Sequence, residues 1–420
     1  MSGSRAGLIE FKLGWRILII AMFGVGINVN ASLLYAFGTL VLPLQQTFGW
    51  ARADLQAAVS FVFFGAVIGT QVVGWLNHRY GMRRVTLLSL PCLAAMFLIT
   101  TQLTSSIVSL YICFALLPLA SMGCTQVTWT HLVNLWFERN RGLALAIVLS
   151  GTGVAAALMP SISSWAIGRW GWQATFIALA ILPLALWPLV WRWMREPPQR
   201  EQTALQIARA RSGFHFSEGL RRPAFWLLTL GLSLVVVAVV MLITGTVPLL
   251  RDKGLSAEAA AGVFGGFGLA LIAGRAVVGY LLDRLWPAGV AAVALALPAF
   301  GCVLLGIAGA GDTALLVVAV MLIGLGAGAE FDISAFLVSR HFGMRDYSRL
   351  YGVHLGFITL ASALAPLLAG ALYRQAGSYT STLAICGAAF IAGSLLMLTL
   401  GRPQLPDVAS TENAPCGNVG

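Results

Sequence analysis

The sequence predicts an all-α membrane protein of twelve transmembrane helices arranged as two six-helix halves. Three observations carry this. The chain has 420 residues, 59% of them hydrophobic and only 10% charged, against about 25% charged in a soluble domain, so it lacks the polar atoms to cover a water-facing surface. Its apolar residues fall into twelve long runs, each near the roughly 20 residues needed to cross a bilayer. A set of small and charged residues recurs at a fixed spacing between the first six runs and the last six.

With boundaries good to a few residues, the runs lie near 16–43, 54–76, 85–104, 107–134, 142–168 and 172–194, then 224–250, 257–282, 288–309, 313–338, 350–373 and 379–400. The first follows Arg5, Lys12 and Arg16 and is too long for a cleaved secretory signal, so it reads as a retained span. The break between the sixes, with Pro197-Pro198 and mixed charge, suits a linker. The expected organisation is a six-helix half at 1–194, a cytoplasmic linker at 195–222, a second half at 223–401 and a disordered cytoplasmic tail at 402–420.

The formal charge is +11 and the isoelectric point 9.9, which in a soluble protein would suggest nucleic acid. Here position decides. With the N-terminus inside, Arg52, Arg169, Arg251, Lys253 and Arg374 fall outside and Arg275 within the hydrocarbon, while the rest of the 26 Lys and Arg are cytoplasmic. The positive-inside rule puts both termini in the cytoplasm, and the charge reflects topology and anionic lipid. No nucleic-acid partner is expected. The cysteines Cys92, Cys113, Cys124, Cys302, Cys386 and Cys416 lack metal-ligand spacing, so neither a disulfide frame nor a metal is expected.

Pro43, Leu44 and Gly49 recur as Pro248, Leu249 and Gly254; Gly69, Gly74, Arg79 and Phe137 recur as Gly274, Gly279, Arg284 and Phe342, every pair 205 positions apart. A constant offset across six-span halves means duplication. Parallel halves can expose a central cavity to either side by rocking.

The stretch Gly74-Trp-Leu-Asn-His78-Arg79-Tyr-Gly81-Met-Arg83-Arg84 resembles the G-x-x-x-D-R-x-G-x-R-R loop of the major facilitator superfamily, and Gly279-Tyr-Leu-Leu-Asp283-Arg284 echoes it. Within that superfamily, Phe48-Gly49-Trp50-Ala-Arg52-Ala-Asp54, Trp136-Phe137 before Arg141-Gly142, and Arg275 four residues before Gly279 resemble the bacterial monocarboxylate transporter and oxalate/formate antiporter branch. The resemblance implies a secondary transporter and a gating role for the loop residues Gly74, His78, Arg79, Gly81, Arg83, Arg84, Gly279, Asp283 and Arg284. His78 stands where the family has Asp, which shifts the expected gate balance toward Asp283; a neutral residue at the lipid interface is the alternative.

Arg275 lies roughly 12 Å along the helix from Asp283, inside the hydrocarbon. Burying a guanidinium there costs about 2.5–3.5 kcal/mol on the insertion scale. Its planar fork matches a carboxylate. It is therefore a candidate anchor for an organic anion, with a structural ion pair as the alternative. Glu330 and Asp332 lie at similar depth in the tenth run. A carboxyl held between desolvation and a neighbouring Arg can exchange a proton, so both are candidates for proton coupling, or else they only neutralise Arg275. At a spacing of two they point about 200° apart, so one is expected to face the cavity. The branch often has an Asp four residues before the Arg; here that position is Leu271.

Asn28 and Asn30 in the first run and Gln126 in the fourth are candidate ligand contacts, with hydrogen bonding between helices as the plainer alternative. His131 and His354 are expected at the wet interface. The glycines, including Gly268, Gly274, Gly324 and Gly328, suit close helix packing. The sequence has no G-x-x-x-x-G-K-[ST] phosphate loop, which argues against ATP-driven transport, and no G-P-x-x-G-G in the fifth run, which lowers a drug-efflux reading. No clustered nucleophile and base suggests an enzyme.

The expected function is secondary transport of a small organic anion by proton symport or anion exchange, from a monomer in the cell membrane without a cofactor. A transporter-like metabolite sensor, or an exporter of another solute, is the alternative.

Overall fold

The computed structural model of the chain describes residues 2–137, 140–195, 213–343 and 345–401, without the side chains of residues 2–9, Thr70, Gln71, Gly74, His78, Arg141 and Ser348. Twelve spans account for nearly all of it. The first consists of Ser2–Ile27 and Val29–Phe48, the second is Arg52–Tyr80 and the third Met82–Thr100. The fourth comprises Ile107–Ala120, a 3-10 turn Met122–Cys124 and Gln126–Trp136; the fifth is Arg141–Trp170 and the sixth Gln173–Trp193. The seventh to twelfth are Pro223–Asp252, Ala257–Leu282, Pro287–Ile307, Thr313–Phe342, Tyr347–Ala376 and Thr380–Leu398. Helix is what hydrocarbon demands, because it satisfies every backbone polar group within the segment.

Punctuation follows local chemistry. Gly49 (φ 71°) and Gly377 (φ 63°) end the first and eleventh spans in the left-handed region, where a side chain would be strained. Pro223 and Pro287 start the seventh and ninth at positions where a missing N–H costs nothing.

The halves meet along three seams: fifth span on eighth, second on eleventh, and the distal half of the first on the seventh. The third span packs mainly on the sixth and the ninth on the tenth and twelfth, away from those seams. Close approach comes from glycine, as the composition suggested. A Cβ on Gly151 would overlap the Met22 carbonyl, and one on Gly268 would overlap Gly153 and Ala157 of the fifth span. One large side chain at either place would push spans apart.

Two spans depart from the expected continuous runs. The first bends by 44° around Asn28, and the fourth breaks between Ser121 and Thr125. Hydropathy misses both because the interrupting residues are few and small. Side chains meet several of the freed backbone groups. Gly123 N–H donates to Ser89 Oγ (3.0 Å), and Gly123 O accepts from Thr86 Oγ1 (2.8 Å). Cys124 O accepts from Asn28 Nδ2 (3.1 Å) and Trp129 Nε1 (3.2 Å). The Asn28 amide thus ties one break to the other.

Most of the expected linker, and the whole tail from residue 402, lie outside the described residues. The end of the linker is ordered on the second half. Gly213 pairs with Gly343, Phe214 N–H donates to Phe342 O (2.9 Å), and the short helix Phe216–Arg221 begins with Phe216 N–H on Asp346 Oδ2 (2.8 Å).

Candidate functional site

The charged centre is built by the eighth and tenth spans. They approach backbone to backbone because Cβ atoms on Gly274 or Gly328 would overlap the Leu325 and Leu271 carbonyls. This contact sets Arg275 opposite Asp332: Arg275 Nε donates to Asp332 Oδ2 at 3.0 Å, with side chains 6% and 26% exposed. One edge of the guanidinium is used and the fork is not closed. Arg275 Nη1 is buried without a partner. Glu330 lies within electrostatic range of Arg275 but outside contact, and its Oε2 is likewise buried and unpartnered. Both carboxyls therefore sense the same guanidinium, Asp332 through a direct bond and Glu330 from outside contact. Tyr35, buried in the first span, shares the electrostatic field of Arg275 and Glu330 and sets its ring against Phe267 of the eighth span at 6.0 Å.

The first half contributes a neutral polar wall. Asn28, Asn30, Ser121, Thr125, Gln126 and Thr152 line a cavity of about 140 Å³ at the two helix breaks. Asn30 is exposed and Gln126 half-buried there. Asn28 differs from both. Its Nδ2 is spent on Cys124 O, and its Oδ1 caps the second half-helix by accepting from Asn30 N–H (2.9 Å). Beside Thr152, Gly153 is so close to Gly268 and Ile272 of the eighth span that a Cβ would collide with both. Arg275 follows Ile272 by almost one turn, so wall and guanidinium flank one interface.

Polar bonds fix the register of the tenth span. His354 is fully buried rather than at the wet interface, because Thr229 and Ser334 replace water. The Thr229 hydroxyl donates to Phe225 O (2.7 Å), so its oxygen accepts from His354 Nδ1–H (2.9 Å), and Nε2 accepts from Ser334 Oγ (2.7 Å). His131 is exposed, as expected.

The loop residues named by the resemblance divide. Gly81 (φ 82°) joins the second and third spans, Arg83 Nη2 donates to Trp191 O at 2.7 Å, and Arg84 lines a basin with Arg83 and Arg195. Arg79 lies over the Trp75 and Tyr80 rings, and Arg284 lies 3.8 Å from the Tyr280 ring centroid. Asp283 caps the eighth span, exposed and without an ion pair among the described residues, and Gly279 has open space around it. The side chain of His78 lies outside the described residues, and Gly74 is described only as backbone of the second span.

The halves are joined by ion pairing on the other face. Arg52 grips Asp252 with two bonds, the longer 2.8 Å, and also donates to Tyr373 Oη (2.9 Å) and Gln45 Oε1 (3.2 Å). Sequence reasoning counted Arg52 as an outside charge and as part of a resembling motif, and gave it no partner. The available signal was its place in the Phe48–Asp54 motif on a face poor in cations. Tyr35 gave no signal apart from lying two turns beyond Asn28.

Paired six-span halves, helices broken at mid-depth and a guanidinium held inside the hydrocarbon define a multi-pass membrane transport protein. The profile of the Major Facilitator Superfamily matches residues 17–342, and the chain belongs to that family. Among its relatives, a gallate transporter of Pseudomonas putida is 30% identical over 84% of this chain and 87% of its own length. Monocarboxylate transporter 11 of Homo sapiens is 24% identical, covering 96% and 86%. Solved structures share the fold. A bacterial homologue of the human lysosomal transporter Spinster, inward-facing and unoccupied, has a TM-score of 0.67 and 18% identity over 93% of this chain and 94% of its own. A nucleoside transporter reaches 0.73 at 11% identity, covering 93% and 100%. These relatives are transporters, and the chain is not an enzyme.

Proposed function

We propose that the protein carries a small organic anion, a monocarboxylate of aliphatic or aromatic type, across the cell membrane by alternating access. The observation that carries this reading is Arg275: a buried guanidinium held by one edge, with Nη1 buried and unpartnered. A carboxylate arriving at the open edge completes the fork. It also competes with Asp332 for the same charge. Asp332, a quarter exposed, can then take a proton from water, and proton and anion travel together; without protonation the same competition supports anion exchange. Asp332 faces Arg275 of the eighth span, has Tyr351 of the eleventh within electrostatic range, and shares its span with Glu330. Asn30 and Gln126 supply neutral contacts from the first half.

The names of the gallate and monocarboxylate relatives support a carboxylate. The Lys/Arg bias supports cytoplasmic termini and linker, with Arg52–Asp252 then closing the outer face and the site facing inward. Uptake of labelled lactate, pyruvate, oxalate and benzoate into proteoliposomes, with and without a pH gradient, tests the reading. Uptake of at least one, abolished by Arg275→Ala, is expected. Full transport of the substrate by Arg275→Ala rules out the anchor.

A further inference from the structure

We propose that Gln56, Ser60 and Ser164 line the path by which the anion crosses the face closed by Arg52–Asp252, where water and the anion's carboxylate satisfy hydrogen-bonding groups that lie stranded in the present conformation. This rests on the alternating-access reading above and adds the residues that serve its other state. The observation is a set of buried polar atoms placed between the halves. Gln56 Oε1, Ser60 Oγ and Ser164 Oγ are buried without a partner, and their residues are only 3%, 1% and 4% exposed. Arg52, Gln56 and Ser60 follow one another at intervals of four on the second span, so they share a face. That face meets the second half: Arg52 bonds Asp252 and Tyr373, and Gln56 Nε2 donates to Thr244 O of the seventh span at 3.3 Å.

Ser164 belongs to the fifth-on-eighth seam. It lies seven residues past Ala157 and four before Gly168, on the face where Ala157 backs onto Gly268 and a Cβ on Gly168 would come within 4.0 Å of Glu258 Oε1. Its neighbour Ser163 turns into the first half instead and is bonded twice, to Thr39 Oγ1 (2.7 Å) and Thr175 Oγ1 (2.9 Å). The first half thus satisfies the serine that stays inside it and leaves unpaired the one that faces its partner. In a seam that never parts, an apolar side chain at these positions would pack without the penalty of a stranded polar group. In a seam that opens, hydration removes the penalty, and polar groups at membrane depth mark solute pathways. Once the seventh and eighth spans draw away, Gln56 Nε2 leaves Thr244 O. The amide and the two hydroxyls then present donors to a carboxylate, while Gln56 Oε1 takes water. Ser60 lies about 9 Å along the helix from Ala66, which lines the cavity at the helix breaks, so the path joins that cavity.

The test uses the full-length protein without its native cysteines, reconstituted in proteoliposomes as Gln56→Cys, Ser60→Cys or Ser164→Cys. Ala94→Cys, buried in the third span, is the control. A membrane-impermeant methanethiosulfonate is added while lactate, pyruvate, oxalate or benzoate is present on both sides, so that each carrier cycles by exchange. Modification at the three seam positions is expected to run at least about tenfold faster than at Ala94→Cys, which no state of the cycle exposes. In the wild-type background, Ser60→Ala with Ser164→Ala should keep the melting temperature at or above its wild-type value and yet slow exchange severalfold, because the shut face gains stability that the open one does not. Exchange by a variant whose cysteine labels no faster than Ala94→Cys overturns the proposal and leaves the transport reading standing. So does exchange at the wild-type rate by the double alanine variant, or a lowered melting temperature accompanying its loss, which would mark an ordinary structural role. If the wild type exchanges none of the four acids, the organic-anion reading itself has failed and this proposal falls with it.

Discussion

Arg275 and Asp332 form a pair that is half made, and a half-made pair can be exchanged. A guanidinium fully forked onto a fixed acid would resist displacement, since breaking a buried, fully bonded ion pair costs about 3–5 kcal/mol. Here a single 3.0 Å bond from Nε leaves the other edge free. Arg275→Lys keeps the charge and loses the planar fork. We expect uptake to fall by roughly a hundredfold, from the about 2–3 kcal/mol of a charge-assisted bidentate contact, with less effect on stability than Arg275→Ala, which strands Asp332. Asp332→Asn cannot take up or release a proton. It is expected to lose uptake driven by a pH gradient while retaining exchange of labelled for unlabelled substrate. Gradient-driven accumulation by this variant would remove Asp332 from the coupling step. Asn30→Ala, which alters an exposed side chain at the cavity, should change substrate affinity and leave the melting temperature near that of the wild type.

At the scale of elements, the two broken spans are joined by one amide, so their geometries are coupled. Removing the Asn28 side chain deletes both its cap on Asn30 N–H and its bond to Cys124 O, although Trp129 still serves that carbonyl. Asn28→Ala should cost about 1–2 kcal/mol, read as a lower midpoint of thermal unfolding in detergent, with the cavity at the breaks distorted and substrate affinity reduced together. The positions of all twelve spans were legible in the sequence, because an apolar run of 20 residues has few alternatives in lipid. The depth match of Arg275 with Glu330 and Asp332 was legible too, by counting turns from the helix ends. The breaks were not. Ser121, Gly123 and Thr125 look like ordinary small residues of a membrane helix, and what makes a break affordable is supplied by Thr86, Ser89 and Trp129, which no local pattern connects to them. His354 misled for the same reason: near the end of its helix it suggests water, and only packing reveals Thr229 and Ser334 on its two nitrogens.

For the whole molecule, duplication by 205 positions explains matched halves, but a transporter must also hold its two faces unequally. The sequence points to the linker-side loops as gates through the resemblance of Arg79, Asp283 and Arg284 to a known motif. In this conformation Asp283 is exposed and unpaired among the described residues, and the ion pair between halves is Arg52–Asp252 on the opposite face, reinforced by Tyr373 and Gln45. Arg52 and Asp252 come from different halves and are 200 positions apart in the chain, so neither could be assigned a partner beforehand. In the alternating-access cycle proposed above the pair would break when that face opens, so its free energy would bias the conformational equilibrium. Its side chains are 13% and 38% exposed, so solvent screens part of the attraction and about 1 kcal/mol is a reasonable worth even with two bonds. That corresponds to roughly a fivefold change in the ratio of closed to open states at this face. Spin labels at Ser105→Cys and Ala310→Cys, on loops of this face, in a background without the native cysteines, report the separation of the halves. Arg52→Gln or Asp252→Asn should raise the long-distance population about fivefold. The reversed pair, Arg52→Asp with Asp252→Arg, should bring it back toward the wild-type value, because attraction between the halves returns even though Tyr373 and Gln45 lose their donor. Distance distributions that stay unchanged in both single variants would show that helix packing along the three seams closes this face without help from charge.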